Sequence, residues 1–393
     1  MKQGTVTRGS FDPDRIRAIQ EALPKQPRDD EKRLNYFMKP EGRRLVEYEQ
    51  LTGYAQQSAD FAGGGLEIGD YMQKHAGGRG AYANETTELK THDWFRFRDP
   101  ERAWFYPMVK NKSEDGRTAV RFLEASAAEG RFRTIAPDWL EFLEVELGVL
   151  THYEYGLFNA HSSVVKDALS DFVKNWAAIA AFHKNDASQM VQYERVMLSK
   201  LVDGFAADLT RSKEMWTTNA DYSEMRASVE ELWGETYDWC EILWAVHCVI
   251  DPIVGQFIRR EFWQTASPFY GDSVTPWILS QACGYHQSTK KGALALFGGC
   301  LAADPNFGTL NEAFLGAWTE KWLPRAIASL KGFMGVYARV PAPGGSFAEA
   351  TAVEAAVHRV IADWAHDFAP IPAVAISTDD LVGEVMAGFQ RSA

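Results

Sequence analysis

The chain has 393 residues, 46% hydrophobic and 13% aromatic, which is enough apolar material for a large buried core. Its formal charge of −12 repels phosphate backbones, and the short basic pairs Arg43-Arg44 and Arg259-Arg260 form no stripe, which argues against a nucleic-acid partner. Met1 to Leu23 is polar and lacks the apolar region of a signal peptide, and no apolar run approaches the roughly 18 residues that cross a bilayer. A soluble, cytoplasmic protein that engages no membrane is expected.

Taken in chain order, Asp12-Pro13 reads as an N-cap followed by proline at the first helical position. Ile16, Ile19, Ala22 and Leu23 then share a face that Pro24 ends, and Leu45, Tyr48, Leu51 and Ala55 mark a second helix. Residues 59–115 keep no sustained period. Seven glycines fall between Gly63 and Gly80, and the run Trp94-Phe95-Arg96-Phe97-Arg98-Asp99-Pro100 follows. Disordered segments are poor in aromatics, so this stretch is expected to be an ordered arm packed on something.

From residue 116 onward helical periodicity dominates. Tyr222, Met225, Val229, Leu232, Trp233, Thr236, Cys240, Leu243, Trp244 and His247 trace one helical face and predict a helix over 221–250. Helices are also expected over 116–131, 137–156, 158–183, 186–204, 252–266, 273–298, 306–339, 347–368 and 378–391. Pro324 should kink the helix over 306–339 or break it. Ala373–Ser377 is the best strand signal and it is weak. The expected fold is all-α: a ferritin-like bundle of long helices over residues 116–393, with an extended N-terminal arm over 1–115.

Long helices invite a search for a carboxylate-bridged di-iron centre, in which two Glu-x-x-His pairs and two further carboxylates face one another inside a bundle. None of the nine histidines has a glutamate three residues before it; Asp363 before His366 is the nearest substitute. A di-iron site within this chain is therefore not expected. His247 lies on an apolar face and reads as a core or interface histidine with one hydrogen bond. Glu154 and His161, seven residues apart, could share a helix face as an ion pair.

Other chemistry is equally absent. Gly63-Gly64-Gly65 lacks the G-x-G-x-x-G spacing, and Gly78-Arg79-Gly80 follows no strand. Cys240, Cys248, Cys283 and Cys300 form no C-x-x-C pair, and Cys240 and Cys248 would stand about 12 Å apart on one helix, too far for a disulfide. No catalytic, cofactor-binding or metal-binding residue is expected.

Several strings, in order, go beyond general pattern: Leu45–Ala55; Gly77-Gly78-Arg79; Asn84–Leu89; Asp93-Trp94-Phe95; Arg98-Asp99-Pro100; Val109–Lys112; Glu154–His161; Gly255–Phe262; Gly271–Pro276; and Asn311 with Trp318–Lys321. Over about residues 10–390 this set resembles the β chain of soluble methane monooxygenase hydroxylases, within the bacterial multicomponent di-iron monooxygenases. The butane enzymes are nearly as similar.

The resemblance implies a non-catalytic β subunit in an assembly of two α, two β and two γ chains. The α chain carries the di-iron centre and oxidises methane or another short alkane to an alcohol. A reductase with FAD and a 2Fe-2S cluster brings electrons from NADH, and a regulatory protein docks transiently. It also implies that the α chain's two Glu-x-x-His positions correspond here to the vicinities of Gln192-Tyr193-Glu194-Arg195 and Gly284-Tyr285-His286-Gln287-Ser288-Thr289. The arm would wrap partner subunits, and residues 1–40 would respond to the regulator. Three other readings stay open: a β chain of a propane or aromatic hydroxylase, an enzyme in its own right using scattered histidines and carboxylates, and an autonomous helical binding protein.

Overall fold

The computed structural model describes residues 46–53, 86–91, 94–342 and 345–389. The helix expected at Ile16–Leu23, the glycine run Gly63–Gly80 and the proposed regulator-responsive segment 1–40 lie outside the described residues. Among those described, every regular element is a helix. Ala373–Ser377, the weak strand signal, is a turn and an extended stretch.

The described parts of the arm pack on the chain's own body. Tyr48, on the short helix α1 (Glu47–Gly53), lies 5.5 Å from the Phe172 ring and accepts a hydrogen bond from the Asp99 backbone N–H at 3.1 Å. The segment around Lys90 is held through Asn311, which accepts the Lys90 N–H at 2.8 Å and donates to the Lys90 carbonyl at 2.7 Å. Trp94 and Phe97 sit 5.2 Å and 5.9 Å from Trp239 and Trp176. Helix α2 (Phe105–Ala128) begins ahead of the expected position 116, so the division drawn at 115/116 falls inside it.

Helix α3 (Pro137–Phe142) starts with proline at its first turn, where the missing N–H has no helical partner to lose. It passes through a wide π-turn at Leu143–Leu147 into α4 (Gly148–Asp167). The break expected after residue 156 does not occur. Gly156 is a packing glycine: a Cβ there would overlap the Val229 side chain of α7 (Ser223–Gly234). The chain breaks instead at Ala168–Ser170, where the Ser170 hydroxyl accepts the Val173 N–H and starts α5 (Asp171–Leu201). Helix α5 runs straight through the expected break near Lys184. The short α6 (Thr210–Thr218) was not anticipated.

The helix expected over 221–250 is two helices. Helix α7 stops at Gly234, and Asp238 caps α8 (Trp239–Tyr270) by accepting the N–H groups of Cys240 and Glu241 at 2.8 and 3.2 Å. Helix α8 then continues through Asp251-Pro252, which the sequence reads as a fresh start. Pro252 donates no hydrogen bond, but this stretch is π-helical, and the Cys248 carbonyl, one turn back, receives the Trp364 indole N–H at 2.6 Å. By length and composition α8 could cross a membrane, with a mean hydropathy of 1.4 over its most apolar 18 residues, which corrects the expectation that no stretch is apolar enough. That window is 94% buried within the protein, so α8 is a core helix.

Helix α9 (Thr275–Ala293) extends through π-helical turns at Leu294–Ala302. Then come α10 (Gly308–Phe333), uninterrupted at Pro324, α11 (Ala350–Asp367) and α12 (Thr378–Met386). Four helices close a ring: α4 packs on α5, α5 on α9, α9 on α8, and α8 on α4. Around it Trp139, Trp239, Trp244, Trp263, Trp322 and Trp364 are fully buried, each worth roughly 4–6 kcal/mol of transfer free energy.

Candidate functional site

The centre of that ring is polar. Glu154 on α4, Lys184 on α5, Asp251 and Arg259 on α8 and His286 on α9 form one connected network. Lys184 Nζ lies 2.5 Å from Asp251 Oδ1 and 3.2 Å from Glu154 Oε2. Arg259 donates to the same Asp251 oxygen at 2.9 Å and, through its other terminal nitrogen, to Glu154 Oε1. His286 Nδ1 lies 3.1 Å from Asp251 Oδ2. All four charged side chains are at most 7% exposed.

The helix is shaped for this. Asp251, Gly255 and Arg259 follow one another at intervals of four and share a face. A Cβ on Gly255 would overlap Asp251 Oδ1 and stand 2.8 Å from Arg259 Nη2, so glycine lets the two ends of the face meet across it. Two carboxylates face two cations, and the network closes on zero net charge. Burial alone would raise the Asp251 pKa, but Arg259, then Lys184 and His286, outweigh it and hold the carboxyl well below the usual range. Burial lowers the Arg259 value, and Asp251 and Glu154 more than reverse this, so its guanidinium stays charged. His286 is pushed down by burial in spite of Asp251 and stays neutral, donating its Nδ1–H to Asp251.

A histidine pair adjoins the network. His161 Nδ1 lies 2.7 Å from the Leu157 carbonyl, which can only accept, so this nitrogen carries the proton. His161 Nε2 must then accept from His247 Nε2–H, 2.8 Å away, which leaves His247 Nδ1 as a buried lone pair without a partner. Burial pulls His161 down to about 4 and His247 well below its ordinary value, so both imidazoles are neutral.

The structure sorts the candidate residues accordingly. His247 is a core histidine with one hydrogen bond, as expected. Glu154 and His161 share a face but do not pair: Glu154 engages Arg259 and Lys184, and His161 engages His247. Gln192–Arg195 does not lie at the centre of the ring, where α5 presents Lys184. Arg195 sits at the bundle end and donates to the carbonyls of Glu144 at 2.8 Å, Ala207 at 3.1 Å and Asp208 at 3.1 Å. Its neighbour Glu194 accepts the Thr275 hydroxyl at 2.7 Å, and burial and then Asp272 push its carboxyl well up.

The stretch 284–289 does reach the centre, through His286. Asp363 is on the surface, paired with Arg260 at 2.9 Å, and forms no site with His366. The four cysteines are free. The glycines 63–65 and 78–80 lie outside the described residues. Sequence reasoning missed Lys184, Asp251 and Arg259. The available signal was Gly255 inside a helix, flanked four residues away on each side by opposite charges.

In a ferritin-like bundle this centre is where a di-iron cluster would sit. The residues present do not fit one: both carboxylates already accept from an ammonium and a guanidinium. Among the described residues no three histidine, cysteine or carboxylate side chains converge as metal ligands.

A sequence model of the Methane/Phenol/Alkene Hydroxylase family matches residues 72–304. The chain belongs to this family. It is 43% identical to the methane monooxygenase component A beta chain of Methylococcus capsulatus (Bath), over 98% of this chain and 99% of that one. It is 48% identical to the component A beta chain of Methylosinus trichosporium over 85% of each. The fold matches a solved structure of phenol hydroxylase from Pseudomonas sp. OX1 at a TM-score of 0.69 and 15% identity, covering 84% of this chain and 91% of that one.

Proposed function

We propose that the chain is the non-catalytic β subunit of a soluble methane-oxidising di-iron hydroxylase. The observation that carries this reading is the likeness to two component A beta chains along most of their length. The self-neutralised network at the bundle centre supports it, because a chain that fills the position with its own cations has no room there for oxygen chemistry.

The role is structural. Catalytic ligands must be held to about half an ångström, and a large rigid bundle packed against the iron-bearing chain supplies that constraint. The assembly contains two copies each of α, β and γ. The α chain holds the iron and oxidises the alkane with dioxygen, and a reductase with FAD and a 2Fe-2S cluster delivers electrons from NADH. A regulatory protein binds transiently, and all components work in the cytoplasm. Phe105 and Tyr106, 66% and 64% exposed, and Trp233 are aromatics suited to partner contacts.

Native mass spectrometry with iron quantification tests this on the tagged chain isolated from its host. The expected species contains two copies each of three chains and loses all iron when the largest is removed. A lone chain carrying its own iron would overturn the reading, as would a lone iron-free chain, which would instead be an autonomous binding protein.

A further inference from the structure

Lys112, on α2, is held in a polar cluster apart from the bundle centre. Its Nζ lies 3.2 Å from Asp186 Oδ2 on α5 and 3.0 Å from the centre of the Tyr285 ring on α9. Tyr285 in turn donates its hydroxyl to the same Asp186 oxygen at 2.5 Å, and His183 of α5 stacks on the ring. The amine is thus fixed in one place, yet 15% of the side chain stays open to solvent.

Asp186 also forms part of the wall of a groove of about 610 Å³ between α2 and α5. Val120, Met190 and Tyr193 give this groove apolar surface, and Arg117 and Arg121 add two guanidiniums about one helical turn apart. Guanidiniums suit phosphate oxygens, so an anion-binding wall stands beside a fixed amine. Burial draws the Lys112 amine down to about 8, against the opposite pull of Asp186 and, on its own helix, Asp115. A lysine desolvated in this way is in good part unprotonated near neutral pH, the form that acts as a nucleophile.

We propose that Lys112 is an acylation site, at which an acyl phosphate seated along the α2–α5 groove transfers its acyl group to Nζ. The free amine attacks the acyl carbon, an amide C–N bond forms, and the C–O bond to phosphate breaks. Phosphate leaves with the bonding electrons, and the proton shed by nitrogen passes to it by way of Asp186. The product carries no charge at Lys112, so the ion pair to Asp186 and the contact with the Tyr285 ring are both lost, which loosens α2 from α5 and α9. The proposal concerns only this chain's own residues and stands whether or not the subunit reading is correct.

The test is incubation of the full-length chain, as isolated from its host, with acetyl phosphate, with initial rates at each lysine read by peptide mass spectrometry. At pH 7 Lys112 should be acetylated at least about fivefold faster than the exposed Lys213 and Lys331. That lead should shrink as pH rises past 8, because Lys112 is by then largely deprotonated while an ordinary lysine, with a value of about 10.4, still gains free amine. R121Q, a change at an exposed side chain, should slow Lys112 about threefold and leave Lys213 unchanged. Acetylation of Lys112 no faster than that of Lys213 and Lys331 at pH 7 would overturn the site. An unaltered Lys112 rate in R121Q would overturn the groove as the seat of the acyl phosphate.

Discussion

Two buried glutamates in this bundle are handled in opposite ways. Glu154, at the centre of the ring, meets Lys184 and Arg259 and is part of a closed ion network. Glu194, toward the bundle end, meets only the Thr275 hydroxyl, with Asp272 nearby, and its carboxyl is held protonated by burial. Even the adjacent Arg195 turns away from it, toward backbone carbonyls. The contrast shows that a buried acid is tolerated either by pairing or by neutralisation, and that only pairing makes it indispensable. Removing one member of a buried pair strands its partners, whereas a neutral acid resembles its amide.

The largest effect expected follows from this. E154Q leaves Lys184 and Arg259 facing Asp251 alone and should destabilise the fold by about 3–5 kcal/mol, measured by urea denaturation at pH 7. Next is G255A: the added methyl forces Asp251 and Arg259 apart, and a loss of about 1–3 kcal/mol is expected in the same assay.

Two effects near 1 kcal/mol sharpen the other side of the comparison. E194Q should be neutral or up to about 1 kcal/mol more stable at pH 7, because the folded state no longer has to protonate an acid that is ionised when unfolded. Its folded pKa is raised, so the wild-type contribution is present below the unfolded value near 4.5 and lost as pH rises; the advantage of E194Q should vanish below that point. A destabilisation comparable to E154Q would refute the distinction.

His183 runs the other way. Burial depresses it to about 3, where it stacks on Tyr285 at 4.6 Å. Its neutral form stabilises the fold above the unfolded value near 6.5, and this is lost as pH falls. H183F, which keeps the stack, should therefore remove about 1 kcal/mol of the stability lost between pH 6.5 and 5.5. Equal acid slopes for H183F and wild type would count against a buried neutral imidazole there.

Much of this was legible in the sequence, for reasons that particular residues make plain. Periodic apolar faces announced the helices, and the missing Glu-x-x-His pairs argued against di-iron ligands in this chain. Helix boundaries were misread where tertiary contacts override local chemistry. Asp251-Pro252 looks like a helix start, but the Trp364 indole, more than a hundred residues away, serves the Cys248 carbonyl that Pro252 cannot. Gly156 and Lys184 look like interruptions, yet one accommodates Val229 and the other is buried against two acids. Conversely, Gly234 followed by Asp238 carried a stop and a start that the continuous apolar face concealed. The network itself was invisible because a lone lysine, aspartate or arginine on a helix usually marks a solvated face. Only the ring of four helices brings these together.

Anomalous X-ray scattering at the iron edge, from crystals of the assembly isolated from its host, tests the central claim most directly. The account predicts iron peaks in another chain and none between Glu154 and Asp251, where Lys184 and Arg259 should appear in density. An iron peak at that position in this chain would contradict it.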